Sequence, residues 1–68
     1  MKTFRRADKL EIGDLVLFHG THPATVVAVW PNNDKPSFTL LALKNETTQH
    51  VAELSVLNSV KFEILMVN

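Results

Sequence analysis

The three histidines are the side chains of this sequence with the most potential for metal or acid–base chemistry. His19 and His22 lie three residues apart, while His50 and the carboxylate Asp14 lie elsewhere in the chain. A zinc site needs several such donors to converge at about 2 Å from one ion, and two histidines in one loop are more typical of solvated side chains. The sequence therefore predicts no metal site, and nothing in it indicates a cofactor.

No catalytic motif stands out in the sequence. Gly13 and Gly20 are the only glycines, too few for a glycine-rich phosphate-binding loop, and no Ser-His-Asp order stands out. Cysteine is absent, which excludes disulfides and is compatible with a reducing cytoplasm. The charged N-terminus lacks an apolar signal core, and no apolar run approaches the roughly 20 residues that cross a bilayer. We predict a cytoplasmic protein, not associated with a membrane, that is not an enzyme.

A tryptophan beside a polar loop is the strongest binding feature of the sequence. Trp30 ends a β-branched segment, and the six residues 31–36 that follow begin and end with proline. Prolines around asparagine and aspartate favour an exposed turn, and tryptophan is enriched where proteins bind their partners. We predict a partner-binding site at Trp30, Asn32, Asn33 and Asp34.

Short β-branched or aromatic segments, separated by turn residues, predict the elements that position this site. We expect strands over residues 15–18, 25–30, 37–43, 47–51 and 60–64, and one helical or 3₁₀ turn over residues 51–54. These elements indicate an all-β fold, a five-stranded SH3-like partly open barrel with a short helical turn before the last strand. The expected core is Val16, Phe18, Val26, Ala28, Phe38, Leu40, Leu54, Leu57, Val60, Phe62 and Ile64.

The faces that this assignment turns outward are also apolar. They carry Leu15, Leu17, Val27, Val29, Leu41, Leu43, Leu65 and Val67. A barrel of this size cannot cover both faces of three strands, and an exposed apolar patch often marks a protein interface. Leu41 and Leu43 therefore join the predicted partner-binding site, for a protein partner or a second copy of the chain. The alternative is that Phe4 and the C-terminal residues fold over these side chains.

The distribution of charge separates a basic N-terminal arm, residues 1–10, from the barrel domain, residues 11–68. The arm has four positive charges against one negative charge, a net charge of +3, and the rest of the chain has a net charge of −3. Its cations, Lys2, Arg5, Arg6 and Lys9, could contact the phosphates of a nucleic acid. The interpretation that we favour is an arm that lies on its own domain, because a neutral chain gains little from counterion release.

Two families share features with this chain. Residues 13–20, Gly-Asp-Leu-Val-Leu-Phe-His-Gly, followed by the strand to residue 29, resemble the opening of a KOW-type SH3-like domain. That resemblance implies nucleic-acid binding, although the basic loop residues between the first two strands of KOW domains are replaced here by residues 21–24.

The layout is also similar to the small SH3-like barrels of type II plasmid-borne dihydrofolate reductases. The shared features are the Gly-Asp start at residues 13–14, a second strand that ends in Trp30, and Val-Ala-Glu-Leu at residues 51–54. This resemblance implies the fold. The Val-Gln-Ile-Tyr active-site strand of that family is replaced by residues 46–50, so the activity is not carried over.

The leading hypothesis from the sequence is a non-enzymatic protein-interaction module, of the accessory or inhibitory kind that phages and mobile elements encode. The first alternative is a nucleic-acid-binding KOW-like domain that uses the basic arm, with Trp30 stacking on a base. The second alternative is an enzyme similar to the type II dihydrofolate reductases.

Overall fold

A single antiparallel sheet of six strands makes up most of the computed structural model, which describes residues 2–67. The strands are β1 (Thr3–Arg6), β2 (Leu15–Phe18), β3 (His22–Pro31), β4 (Phe38–Asn45), β5 (Val51–Leu57) and β6 (Lys61–Met66). A 3₁₀ turn, Ala7–Lys9, follows β1, and residues 2–67 contain no α-helix. The predicted all-β class is confirmed.

The strands are arranged in the order β1-β6-β2-β3-β4-β5, so β1 and β5 form the two edges. Every neighbouring pair is antiparallel. Because β1 and β5 do not pair, the sheet is open, and it has six strands instead of the expected five. The additional strand is β1, which lies in the predicted basic arm and pairs with β6 from Thr3↔Ile64 to Arg6↔Lys61.

The remainder of the basic arm, up to residue 10, contributes to the core. Ala7 is fully buried and Leu10 is 5% exposed. The backbone N–H of Ala7 donates to the carbonyl of Val60 at 2.7 Å, which fixes the 3₁₀ turn to the segment before β6. The described part of the arm is therefore part of the same packed unit as the other strands.

The helical turn predicted over residues 51–54 is wrong, because these residues form the first half of β5. The strand predicted over residues 47–51 begins later, at Val51, because a turn occupies the residues before it. The side-chain oxygen of Asn45 accepts hydrogen bonds from the backbone N–H groups of Thr47 at 2.8 Å and Thr48 at 3.1 Å. These bonds close a turn, and Gln49 follows it in the left-handed region with φ of 66°. β5 then pairs with β4 along its whole length.

The core consists of buried side chains from β2, β3, β4 and β6, together with Ala7 and Leu10. On β4, the residues that face the core are the set that was predicted to face outward. Leu41 is fully buried and Leu43 is 3% exposed, so the prediction that these two side chains face outward is wrong. Leu43 lies opposite the buried Val26, and Leu41 lies opposite Leu54, which packs on the core. Since side chains alternate along a strand, Phe38 and Leu40 face outward.

The other predicted core residues divide into three groups. Val16, Val26 and Phe62 are buried as expected. Phe18, Leu54 and Ile64 are half-buried and pack against the core. Ala28, like Phe38 and Leu40, is half-buried on the outward parity, and the predictions for Leu57 and Val60 are wrong because they are 47% and 39% exposed.

A buried carboxylate sets the position at which β2 begins. Asp14 is fully buried, and its side chain accepts hydrogen bonds from the guanidinium of Arg5 at 3.1 Å and the backbone N–H of Glu11 at 2.9 Å. Gly13 has φ of 99°, which favours glycine, and its N–H donates to the carbonyl of Val26 at 2.8 Å. Asp14 thus connects the basic arm to the start of β2, and the bond from Gly13 connects the start of β2 to β3.

Candidate functional site

An apolar cluster on the outward face of β3, β4 and β5 is the strongest candidate site. The strand register places Trp30 opposite Leu40 and places Phe38 opposite Leu57. Leu40 and Phe38 are two residues apart on one strand and therefore share a face. We call these four side chains the outer patch.

The outer patch exists because both faces of β4 are apolar and only one can be covered. The inward neighbours of its residues, Val29 and Leu41, pack in the core. Trp30 is 37% exposed and Leu57 is 47% exposed, while Phe38 and Leu40 are half-buried. A sheet normally places polar side chains on its solvated face, so large apolar side chains there indicate a surface that another molecule covers.

The loop after β3 lies at one end of the outer patch. The side-chain oxygen of Asn32 accepts hydrogen bonds from the backbone N–H groups of Asp34 and Lys35, both at 3.0 Å. The Asn32 side chain therefore shapes the loop, while Asn33 and Asp34 are exposed. The ammonium of Lys35 lies 5.9 Å from the centre of the Phe38 ring.

A small groove of about 180 Å³ adjoins the loop and the outer patch. Its lining includes Trp30, Pro31, Pro36 and Phe38. Asn58 borders the groove and anchors the loop, because its side-chain nitrogen donates to the carbonyl of Pro36 at 3.0 Å and its side-chain oxygen accepts from the hydroxyl of Thr39 at 2.6 Å. A ring-lined groove held by such contacts can receive one apolar side chain of a partner.

Leu41 and Leu43, the remaining residues of the predicted partner-binding site, lie on the buried side of the sheet. The structure brings together Trp30 and the loop, and it adds Phe38, Leu40 and Leu57. The sequence assigned these three residues to the core. Phe38 and Leu40 lie in the apolar run of β4, whose residues alone do not show which set faces the core, and Leu57 lies at the end of β5.

No protein-family model matches the sequence, and no curated protein or solved structure shows significant similarity to it. The candidate site therefore rests on its own geometry. In residues 2–67 no helix is both long and apolar enough to cross a membrane.

The cations of the basic arm are largely engaged within the molecule. Arg5 contacts the buried Asp14 at 3.1 Å, and Arg6 donates to both carboxylate oxygens of Asp8 at 3.1 Å. The ammonium of Lys2 lies 3.7 Å from the carboxylate of Glu63. Three of the four cations that the nucleic-acid alternative requires thus already have carboxylate partners.

We expect only weak nucleic-acid binding from this arrangement. The affinity for phosphates comes from the release of counterions, which a cation already paired with a carboxylate contributes poorly. Fluorescence anisotropy with labelled single- and double-stranded DNA, at about 50 mM and about 200 mM salt, measures the slope of binding against salt. We predict that the fall of log K with log[salt] corresponds to no more than about one phosphate contact. A slope with a magnitude of about three or more would support the alternative that uses the basic arm.

The histidines occupy separate surface positions. His19, His22 and His50 are all exposed, and His19 stacks at a tilt on Phe18 with 4.1 Å between ring centres. Within the described part of the chain, no three His, Cys, Asp or Glu side chains approach closely enough to hold a metal ion.

A second groove, which the sequence did not indicate, lies where the sheet fails to close. We call it the edge groove. It has a volume of about 400 Å³, and its lining includes Phe4, Phe18, Leu54, Val56 and Phe62. It is created by the gap between the two edges of the sheet, a feature that local sequence patterns do not encode.

Proposed function

We propose that this protein is a non-enzymatic interaction module that binds a protein partner through the outer patch and the adjoining loop. The observation that carries the proposal is the contiguous apolar surface of Trp30, Phe38, Leu40 and Leu57 on the face of the sheet away from the core. Strands β2, β3, β4 and β5 follow one another as neighbours in the sheet, and the last strand, β6, returns to lie beside β2. This order supports an SH3-like architecture to which β1 is added.

The composition of the site fits a protein ligand. Aromatic side chains supply large contact areas at low cost in conformational entropy, and energetically dominant interface residues cluster at the centre of a patch with a polar rim. Phe38 and Leu40 lie on the middle strand of the outer patch, Trp30 lies beside them on β3, and the exposed Asn33 and Asp34 provide part of the rim. The proposed partner therefore presents an apolar segment, with hydrogen-bond donors where it meets the loop.

Replacement of Trp30 by alanine is expected to weaken partner binding about thirtyfold. The loss of a tryptophan that is an interface hot spot typically costs about 2 kcal/mol or more, and about 1.4 kcal/mol corresponds to a factor of ten. Affinity capture from a bacterial lysate identifies the proteins retained by the wild-type chain, and titration with the purified partner then measures the affinity of each variant.

The matched control is Ile12→Ala, because Ile12 is an apolar side chain that is 60% exposed and precedes β2, outside the three strands that carry the outer patch. Nuclease treatment of half of the lysate separates direct protein binding from capture through nucleic acid. Retention of the same proteins by Trp30→Ala and Ile12→Ala, or loss of every captured protein after nuclease treatment, would contradict the proposal.

A further inference from the structure

The two edges of the sheet differ in how well they are protected against pairing with another strand. β1 has four residues, two of which are the arginines Arg5 and Arg6. β5 has seven residues, with one charged side chain, Glu53, and no proline. Among residues 2–67, β5 has one sheet neighbour, β4, and the register between the two shows no bulge. Native proteins normally blunt such an edge with charges, prolines or bulges, so a long bare edge indicates a strand that pairs with another chain.

We propose that β5 pairs with β5 of a second copy of this chain, in an antiparallel register about a two-fold axis at Leu54. Leu54 is the middle residue of β5, so this register pairs all seven residues. The opposed positions are Val51 with Leu57, Ala52 with Val56, Glu53 with Ser55, and Leu54 with itself. Every apolar side chain meets an apolar side chain, and the one charge meets a hydroxyl.

Other two-fold registers of this strand are less favourable. A two-fold axis at Glu53 would place two carboxylates directly opposite one another, which is destabilising across strands. An axis at Ser55 would leave two residues of each strand unpaired and would place Glu53 against Leu57. The strand is therefore self-complementary in its centred register.

A closed dimer also accounts for the difference between the two edges. In the dimer, both copies of β5 are paired with each other. The edge strands that remain unpaired are the two copies of the short β1, which carries two arginines. Isologous contacts of this kind end at two subunits. The partner strand lies beside Leu54 and Val56, which line the edge groove, and so removes part of its apolar lining from water.

Two opposite substitutions at one exposed position test the register. Ser55→Glu places a carboxylate opposite Glu53 of the other copy, twice per dimer, and we expect the dimer dissociation constant to rise about fivefold. Ser55→Lys places a cation there instead, and we expect the constant to fall about fivefold. Sedimentation equilibrium of the full chain, over about 1 µM to about 1 mM, measures the constants. Thr21→Glu, in the exposed loop between β2 and β3, is the control that adds the same charge elsewhere.

A wild-type chain that remains monomeric at about 1 mM would overturn the proposal. A dimer that responds equally to Ser55→Glu and Ser55→Lys, or that is broken by Thr21→Glu, would also overturn it. Trp30→Ala is expected to leave the dimer intact. Leu57 belongs both to β5 and to the outer patch, but Trp30 lies outside β5, so the Trp30→Ala variant tests partner binding separately from dimerisation.

Discussion

Replacement of Leu41 by alanine is expected to lower the free energy of unfolding by about 2–5 kcal/mol. Leu41 is fully buried at the centre of β4, between Val29 on one neighbouring strand and Leu54 on the other. Alanine would remove its contacts and leave a cavity that the two flanking strands cannot readily close. Domains of this size rarely have more than about 3–5 kcal/mol of stability, so much of the Leu41→Ala population is expected to be unfolded at 25 °C.

The matched control for Leu41→Ala is Leu40→Ala, one residue earlier on the same strand. Leu40 is half-buried on the outward face, and we expect its loss to cost about 1 kcal/mol or less. Urea denaturation followed by circular dichroism measures both variants. If Leu40→Ala were the more damaging change, the sheet would have the parity expected from the sequence, and the outer patch would not be on the surface.

Replacement of Asp14 by alanine is expected to destabilise the fold by about 3–5 kcal/mol. The Asp14 carboxylate is fully buried and accepts hydrogen bonds from Arg5 and from the backbone N–H of Glu11. Its removal would leave a partly buried guanidinium without its closest counter-charge, beside an unsatisfied amide. The measurement is again denaturant unfolding of the purified chain.

The exposed ion pair between Arg6 and Asp8 provides the comparison for Asp14→Ala. Asp8→Ala removes the carboxylate that Arg6 contacts, and because exposed pairs contribute little we expect a loss of about 1 kcal/mol or less. Equal, small effects of Asp14→Ala and Asp8→Ala would show that the basic segment is not held to the sheet through Asp14.

The sequence predicted the elements that local chemistry determines. The β-branched and aromatic segments around residues 15–18 and 25–30 are strands, and the prolines at 31 and 36 flank the loop between β3 and β4. The position of the loop next to Trp30 could be predicted because clustered turn residues determine the backbone within a few positions of the chain.

The parity of β4 could not be predicted from its own residues. Leu40, Leu41, Ala42 and Leu43 are all apolar, so no period-two pattern separates an inner face from an outer one. Which residues of β4 face the core is determined by its pairing with β3 and β5. The register with β3 shifts between Val26 and Ala28. A shift of one residue exchanges the two faces of a strand. Phe38 and Leu40 therefore lie on the outward face and not in the core where they were expected.

Long-range contacts also explain the other differences. β1 carries two arginines and has no strand pattern of its own, and it is ordered by pairing with β6 at the far end of the chain. Residues 51–54 have helical spacing but form a strand, because β5 pairs with β4 along its whole length. The edge groove depends on where the two ends of the sheet stop, so no local pattern could reveal it.

Single cysteines test most directly whether the outer patch is the docking surface. The natural chain has no cysteine, so Leu57→Cys and Ile12→Cys each create one thiol, in the outer patch and away from it. The rate of thiol alkylation is measured with and without the purified partner, at the same concentration of the chain. We predict that the partner slows alkylation of Leu57→Cys at least about tenfold and leaves that of Ile12→Cys unchanged. Equal rates at Leu57→Cys with and without bound partner would contradict the assignment of this face as the docking surface.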